Sequence, residues 1–389
     1  MVMKKRAFWI DRIEKAWKDV PLVWLCGVRR SGKTVLAKSL GLDRIRYLNC
    51  DLPDVTERLH DPVLFYRSIK QEIVVFDEVH QLPDPSRILK IGTDEFPHLK
   101  LLATGSSTLA AGKKFRDTLT GRKRDVRLTP VMLDELPTFD VDLMTRFHQG
   151  GLPPALLSKE WPISFYREWM DSFYARDIQY LFEIRDVARL NALLQYLLRM
   201  SGGQLDNTKT AAAIGISRPT LDNHLRALEM THALTLVRPY SRGHQDEIIK
   251  QPKVYGMDTG FVCFARGWDS LRPDDLGILW EHLVLEWLQA HQPDSRIQYW
   301  RDKKGAEIDF VIPASRDAVD VIECKMNPAS FDPSALATFR KRYPNGRNWV
   351  LSPGVDEPYE RDYRGLIVCV AKTPVITPSV KHGHQKVKP

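Results

Sequence analysis

The stretch "LVWLCGVRRSGKTVLAKSL" constrains this chain more than any other, because an apolar strand pattern runs into Gly27-x-x-x-x-Gly32-Lys33-Thr34 and then into a helical pattern. Glycines at that spacing let successive backbone N–H groups wrap a phosphate at a helix N-terminus. Lys33 then reaches the outer phosphates of a nucleotide, and the Thr34 hydroxyl can ligate Mg2+. Gly27, Arg29, Arg30, Ser31, Gly32, Lys33, Thr34 and Val35 are therefore the expected cradle for ATP. Such a loop joins a strand to its crossover helix, which predicts an open α/β domain binding its ligand at the carboxyl ends of its strands.

Two further strands fit that domain. "EIVVFDEVHQLPD" reads as a buried strand ending in Asp77 and Glu78. Asp77 is placed to hold Mg2+, and Glu78 to polarise the water that attacks the γ phosphate. "LKLLATGSST" ends at Ser106 and Ser107, where a hydroxyl can sense the γ phosphate. The short spacing from Lys33 to Asp77, with no second motor domain, argues against a helicase reading of "DEVH". In the basic run "AGKKFRDTLTGRKRDVRL", Arg122 is the arginine chosen to reach a neighbouring subunit's γ phosphate in an assembled oligomer. The same run also suits a solvated loop or contacts to DNA phosphates.

The middle of the chain reads as a helical lid and a winged helix. "RLNALLQYLLRMSG" has apolar residues at helical spacing. In "NTKTAAAIGISRPTLDNHLRALEM", a small-residue helix stops at Gly215, Ser217 caps a second helix with Pro219 in its first turn, and Leu221, Leu225 and Leu228 form an apolar stripe. Helix, short glycine-containing turn, helix is the helix-turn-helix pattern. Arg218, Asn223, His224 and Arg226 are the expected DNA contacts of the second helix, with Arg242 and Lys250 on the polar loop, the wing, that follows.

The C-terminal part places "LGILWEHLVLEWLQAHQ", a helix carrying Glu281, before the strands "IQYWRD", "EIDFVIP" and "VDVIECKM". Alternation puts Glu307 and Asp309 on one strand face, and Glu323 and Lys325 on one face of the next strand. If the strands are neighbours, Asp309 and Glu323, with Glu281 from the helix, can hold a divalent metal, and Lys325 can orient a water for phosphodiester hydrolysis. The Glu…Asp…Glu-x-Lys layout resembles the PD-(D/E)XK nuclease superfamily, without a proline before the acid.

The 389 residues argue for two or three domains, and 57 Lys+Arg against 49 Asp+Glu give a modest bias toward a polyanion. Five scattered cysteines without metal spacing read as reduced core residues of a cytoplasmic protein. The basic N-terminus is not followed by an apolar stretch of signal-peptide length, and no run is long enough to span a membrane.

Together, "GVRRSGKT", "VVFDEVHQLPD", "LLATGSS", "LTGRKRDVRLTPVMLDEL", "GGLPPAL", "SRPTLDNHLRALE", "PYSRG", "KQPKVYGMDTGF" and "WEHLVLEWL" resemble the prokaryotic AAA-type ATPases known as AAA domain fourteen, followed by the DUF-four-one-four-three domain. The resemblance spans most of residues 5 to 370. It implies nucleotide and Mg2+ binding by Gly32, Lys33, Thr34 and Asp77, Glu78 as catalytic acid, Ser106 as sensor and Arg122 as finger. Arg30 departs from the residue usual in that loop.

The expected fold class is α/β: a P-loop AAA-type ATPase core over residues 1–150, a helical lid and winged helix over 151–270, a restriction-endonuclease-like domain over 271–372, and a flexible basic tail over 373–389. The expected function is a Mg2+-dependent, homo-oligomeric ATPase acting on DNA, including branched DNA, in repair, recombination or defence against phage. A nucleotide-controlled protein-binding switch with a non-catalytic nuclease-like domain is the rival reading. A small-molecule kinase has no use for Glu78 or for a winged helix, and ranks last.

Overall fold

The computed structural model describes residues 4–41, 43–105, 118–174, 178, 184, 186–244, 247 and 250–374. The chain divides into two compact units. One comprises residues 1–236 and 254–271, the other 237–253 and 272–389. The polar loop expected as a wing thus belongs to the C-terminal unit.

The first unit opens on a five-stranded, wholly parallel sheet of β1 (Leu22–Cys26), β2 (Ile45–Asn49), β3 (Ile73–Asp77), β4 (Lys100–Thr104) and β5 (Lys123–Arg127), in the order β2-β3-β4-β1-β5. Every residue of β1 and β3 is buried, as strands covered on both faces require. Trp24, Phe76, Tyr66, Leu89 and Leu101 form one core cluster of this sheet. Because β4 lies between β3 and β1, the carboxyl ends of these three strands are neighbours, which brings Asp77, Thr104 and the loop after β1 to one edge.

The helices that follow build a second core around Phe165, Trp169, Leu193, Leu197, Leu221, Leu228 and Phe261. The "GGLPP" and "MDTGF" motifs meet here. The Gly151 N–H donates to Asp258 Oδ2 at 2.5 Å, and a Cβ on Gly150 (φ +71°) would lie 1.7 Å from Asp258 Oδ1, so no side chain fits. Helix Asn207–Ile214 ends on Gly215 in the left-handed conformation, and Ser217 caps helix Arg218–Met230 by accepting the Thr220 N–H at 3.2 Å. Two helices joined by a turn at Gly215 thus stand where the helix-turn-helix was expected, and β6 (Leu234–Pro239) follows them.

The second sheet is mixed. With β7 (Lys253–Gly256), β8 (Gln298–Arg301), β9 (Glu307–Pro313), β10 (Val319–Cys324), β11 (Asn348–Leu351), β12 (Tyr359–Tyr363) and β13 (Leu366–Ala371), its order is β12-β13-β11-β10-β9-β8-β6-β7. The expected neighbours β9 and β10 pair antiparallel, with Phe310 opposite Ile322. Trp300, Val311, Val321, Phe339 and Val350 pack its core. Helix Pro273–His291 carries Glu281, and its Trp280 Nε1 donates to the Leu351 carbonyl at 2.8 Å. All five cysteines are free thiols, four of them buried. Among the described residues no helix is long and apolar enough to cross a membrane.

Candidate functional site: the phosphate-binding loop and the acid cluster

The loop after β1 needs both of its glycines. Gly27 adopts φ +141°, and a Cβ there would come within 2.4 Å of the Leu128 carbonyl oxygen; Gly32, at φ +95°, starts helix Lys33–Lys38. Lys33 Nζ donates to the carbonyls of Gly27 and Val28 at 3.0 and 3.2 Å, so the loop encircles its own ammonium group. The Ser31 hydroxyl is buried and has no hydrogen-bond partner among the described residues. A buried polar atom without a partner is costly unless a ligand satisfies it, which fits a triphosphate in this cradle.

Asp77, nearly buried at 3% exposure, gathers three hydroxyl donors. Thr34 Oγ1 and Tyr47 Oη reach its Oδ2 at 2.8 and 2.6 Å, and Thr104 Oγ1 reaches Oδ1 at 2.5 Å. Burial and this hydrogen bond push the Tyr47 phenol well above its usual range. Thr104 also accepts the backbone N–H of Glu78 at 3.0 Å, so one hydroxyl positions both acids of the strand end. Glu78 stands in the left-handed region (φ +56°), and its carboxylate lies 3.2 Å from His80 Nδ1. Asp77 with Thr34 is an oxygen donor pair suited to Mg2+.

Further contacts brace the loop. Trp169 Nε1 donates to the Arg29 carbonyl at 3.0 Å, while Arg30 turns away to the Phe165 ring (5.3 Å) and Glu168 (3.8 Å). The buried Arg6 guanidinium is held by Glu135 and donates to the carbonyls of Ser31, Thr129 and Pro130. Val35 is exposed. Arg122 is paired with Asp94 of its own chain through two hydrogen bonds of 2.6 and 3.1 Å. Ser106 lies outside the described residues.

On helix Arg218–Met230, Arg218, Asn223 and Arg226 are exposed, whereas His224, expected among the DNA contacts, is buried and cannot serve as one. Three residues after Leu221 and beside Leu225, it falls on the core stripe, and burial holds its imidazole below the ordinary range. Arg242 and Lys250 are exposed in the C-terminal unit, where Arg242 donates to the Arg316 carbonyl at 2.7 Å.

The C-terminal acids also converge, with a partner the sequence did not reveal. Lys253, 4% exposed at its side chain, places Nζ 3.0 Å from Glu281, 2.6 Å from Glu307 and 3.8 Å from Asp309. Lys325 lies 2.8 Å from Glu323 and 3.9 Å from Asp309, and Arg301 lies 2.9 Å from Glu307. Asp309 Oδ2 accepts the Cys324 N–H at 2.8 Å. Burial, with Asp309 adding to it, pushes the Glu323 carboxyl up to about 8, and the surrounding acids raise Lys253 and Lys325 despite their own burial. Glu281, Asp309 and Glu323 were expected to ligate a metal. The same acids instead surround ammonium groups, and among the described residues no cluster of His, Cys, Asp or Glu is arranged to hold a metal ion.

Residues 19–136 match the family described as AAA domain. The N-terminal domain is an AAA domain. Behind it, residues 141–272 and 276–372 match two families described as domains of unknown function, DUF8612 and DUF4143. The proteins Mb2031c of Mycobacterium bovis and Rv2008c of Mycobacterium tuberculosis, both described as uncharacterized, are each 25% identical over 312 residues, covering 78% of this chain and 70% of theirs. Among solved structures, the Walker-type ATPase of Pyrococcus abyssi shares 15% identity over 68% of this chain and 98% of its own, with a TM-score of 0.44. The RuvB Holliday junction branch migration motor of Thermotoga maritima shares 16% identity over 61% of this chain and 90% of its own, with a TM-score of 0.30.

Within the AAA domain, the sequence reading missed Tyr47, Thr104 and Arg6. Thr104 carried a usable signal, a hydroxyl ending the apolar run "LLAT", while Tyr47 and Arg6 carried none.

Proposed function

We propose that this chain is a Mg2+-dependent ATPase that acts on DNA as a homo-oligomer. The observation that carries the reading is the Thr34–Asp77–Thr104–Glu78 chain of hydrogen bonds beneath a loop whose Ser31 hydroxyl is buried without a partner among the described residues. Gly27 to Val35 bind the triphosphate, and Lys33 leaves its carbonyl contacts for the β and γ phosphates. Thr34 and Asp77 hold Mg2+, which supplies charge neutralisation on the phosphate oxygens. Glu78 orients the attacking water, and Arg122, released from Asp94, serves a neighbouring subunit. Ser106 senses the γ phosphate.

DNA contact is assigned to Arg218, Asn223 and Arg226, exposed on a helix-turn-helix, with Arg242 and Lys250 adding phosphate contacts. Fluorescence anisotropy with duplex and four-way-junction DNA tests this. Arg226→Ala is expected to weaken binding and to reduce the salt slope by about one unit, as loss of one phosphate contact does; salt-insensitive binding unaffected by the substitution would refute it. For the nuclease-like domain, the lysines seated among the acids favour the rival reading of a non-cleaving module.

A further inference from the structure

We infer that the ammonium group of Lys253 is the resident cation of the C-terminal acid cluster, seated against Glu281 and Asp309, two of the three acids expected to hold a divalent metal. This goes beyond the ATPase reading and does not depend on it.

Three carboxylates from two elements, Glu281 on helix Pro273–His291 and Glu307 and Asp309 on β9, converge on a single buried Nζ. Lys253 enters from the start of β7, far from these acids in sequence, so the fold and not local proximity delivers it. Each acid of the cluster already has a partner within the protein. Glu281 Oε1 and Glu307 Oε1 accept from Lys253, Asp309 Oδ2 accepts the Cys324 N–H, and Glu323 Oε2 accepts from Lys325.

Charge points the same way. Lys253, Lys325 and Arg301 stand against the carboxylates of Glu281, Glu307 and Asp309, so these acids are neutralised by side chains of the protein itself. A divalent ion entering this cluster would meet buried positive charge, and would have to displace an ammonium already bonded to two of the acids. An ammonium donates hydrogen bonds, but unlike a metal it generates no hydroxide from bound water. The cluster therefore ties Lys253 to β9 and to helix Pro273–His291 and does not cleave phosphodiesters.

The test uses the full, nucleotide-free, EDTA-treated chain titrated with Mn2+, following bound ion by electron paramagnetic resonance. Wild type and Asp309→Asn are expected to bind Mn2+ alike. Lys253→Ala is expected to gain one site, at least about tenfold tighter than any in wild type, with a melting temperature raised by Mn2+, and Lys253→Ala/Asp309→Asn to lose that site. Mn2+ binding by wild type that disappears in Asp309→Asn would overturn the inference, as would a folded Lys253→Ala chain with no added site. If Lys253→Ala does not fold, the comparison of wild type with Asp309→Asn decides alone.

Discussion

Thr104→Val is the substitution that probes the nucleotide site most sharply, because it removes one oxygen and keeps the shape. Thr104 is fully buried at the end of β4, donating to Asp77 Oδ1 and accepting from the Glu78 N–H. A hydrogen bond to a charged group is worth about 1.5–3 kcal/mol, and an N–H left without its acceptor costs about 1–3 kcal/mol. Tyr47 and Thr34 still hold Asp77 Oδ2, so the carboxylate is loosened and not released. If about 2 kcal/mol of that positioning is lost in the transition state, kcat falls about 30-fold, since about 1.4 kcal/mol corresponds to a factor of ten. Steady-state ATP hydrolysis at saturating ATP and Mg2+, beside thermal melting, reads both effects. Thr104→Ser, which restores the hydroxyl, should recover most of kcat. A Thr104→Val protein with lowered stability and kcat within about twofold of wild type would show the hydroxyl to be structural only.

Three other outcomes follow from the geometry. Gly27→Ala forces a side chain into a left-handed backbone position and against the Leu128 carbonyl, so denaturant unfolding should show at least about 2 kcal/mol of lost stability together with lost ATP binding. Asp94→Asn weakens the pair that holds Arg122, so turnover per subunit should equal or exceed wild type, while Arg122→Ala should abolish any rise of specific activity with protein concentration. Glu323 has a raised folded-state pKa, so between pH 4.5, its ordinary value, and about 8 the folded chain keeps a proton that the unfolded chain has lost; stability should fall with rising pH across that window and level off above it, a slope that equilibrium unfolding of Glu323→Gln should lack.

Much of this architecture was legible as local pattern. The phosphate loop, the strand ending in Asp77 and Glu78, the helix cap at Ser217 and the strands β8 to β10 each announce themselves within a short window, because periodicity and turn chemistry are short-range properties. The contacts that complete the sites are long-range. Tyr47 and Thr104 come to Asp77 through sheet order, and Arg6 reaches Ser31 and Glu135 from the start of the chain. Lys253 looks like one more basic residue beside an exposed loop until the sheet sets it among Glu281, Glu307 and Asp309. His224 was misread for the opposite reason, since its polarity outweighed a helical position shared with Leu221, Leu225 and Leu228.

ATP turnover by the purified full chain, measured with and without duplex and junction DNA and beside Lys33→Ala, tests the central claim most directly. The account predicts Mg2+-dependent hydrolysis that DNA stimulates and that Lys33→Ala abolishes. Turnover that persists in Lys33→Ala, or a wild-type rate that is nil with every DNA offered, would contradict it.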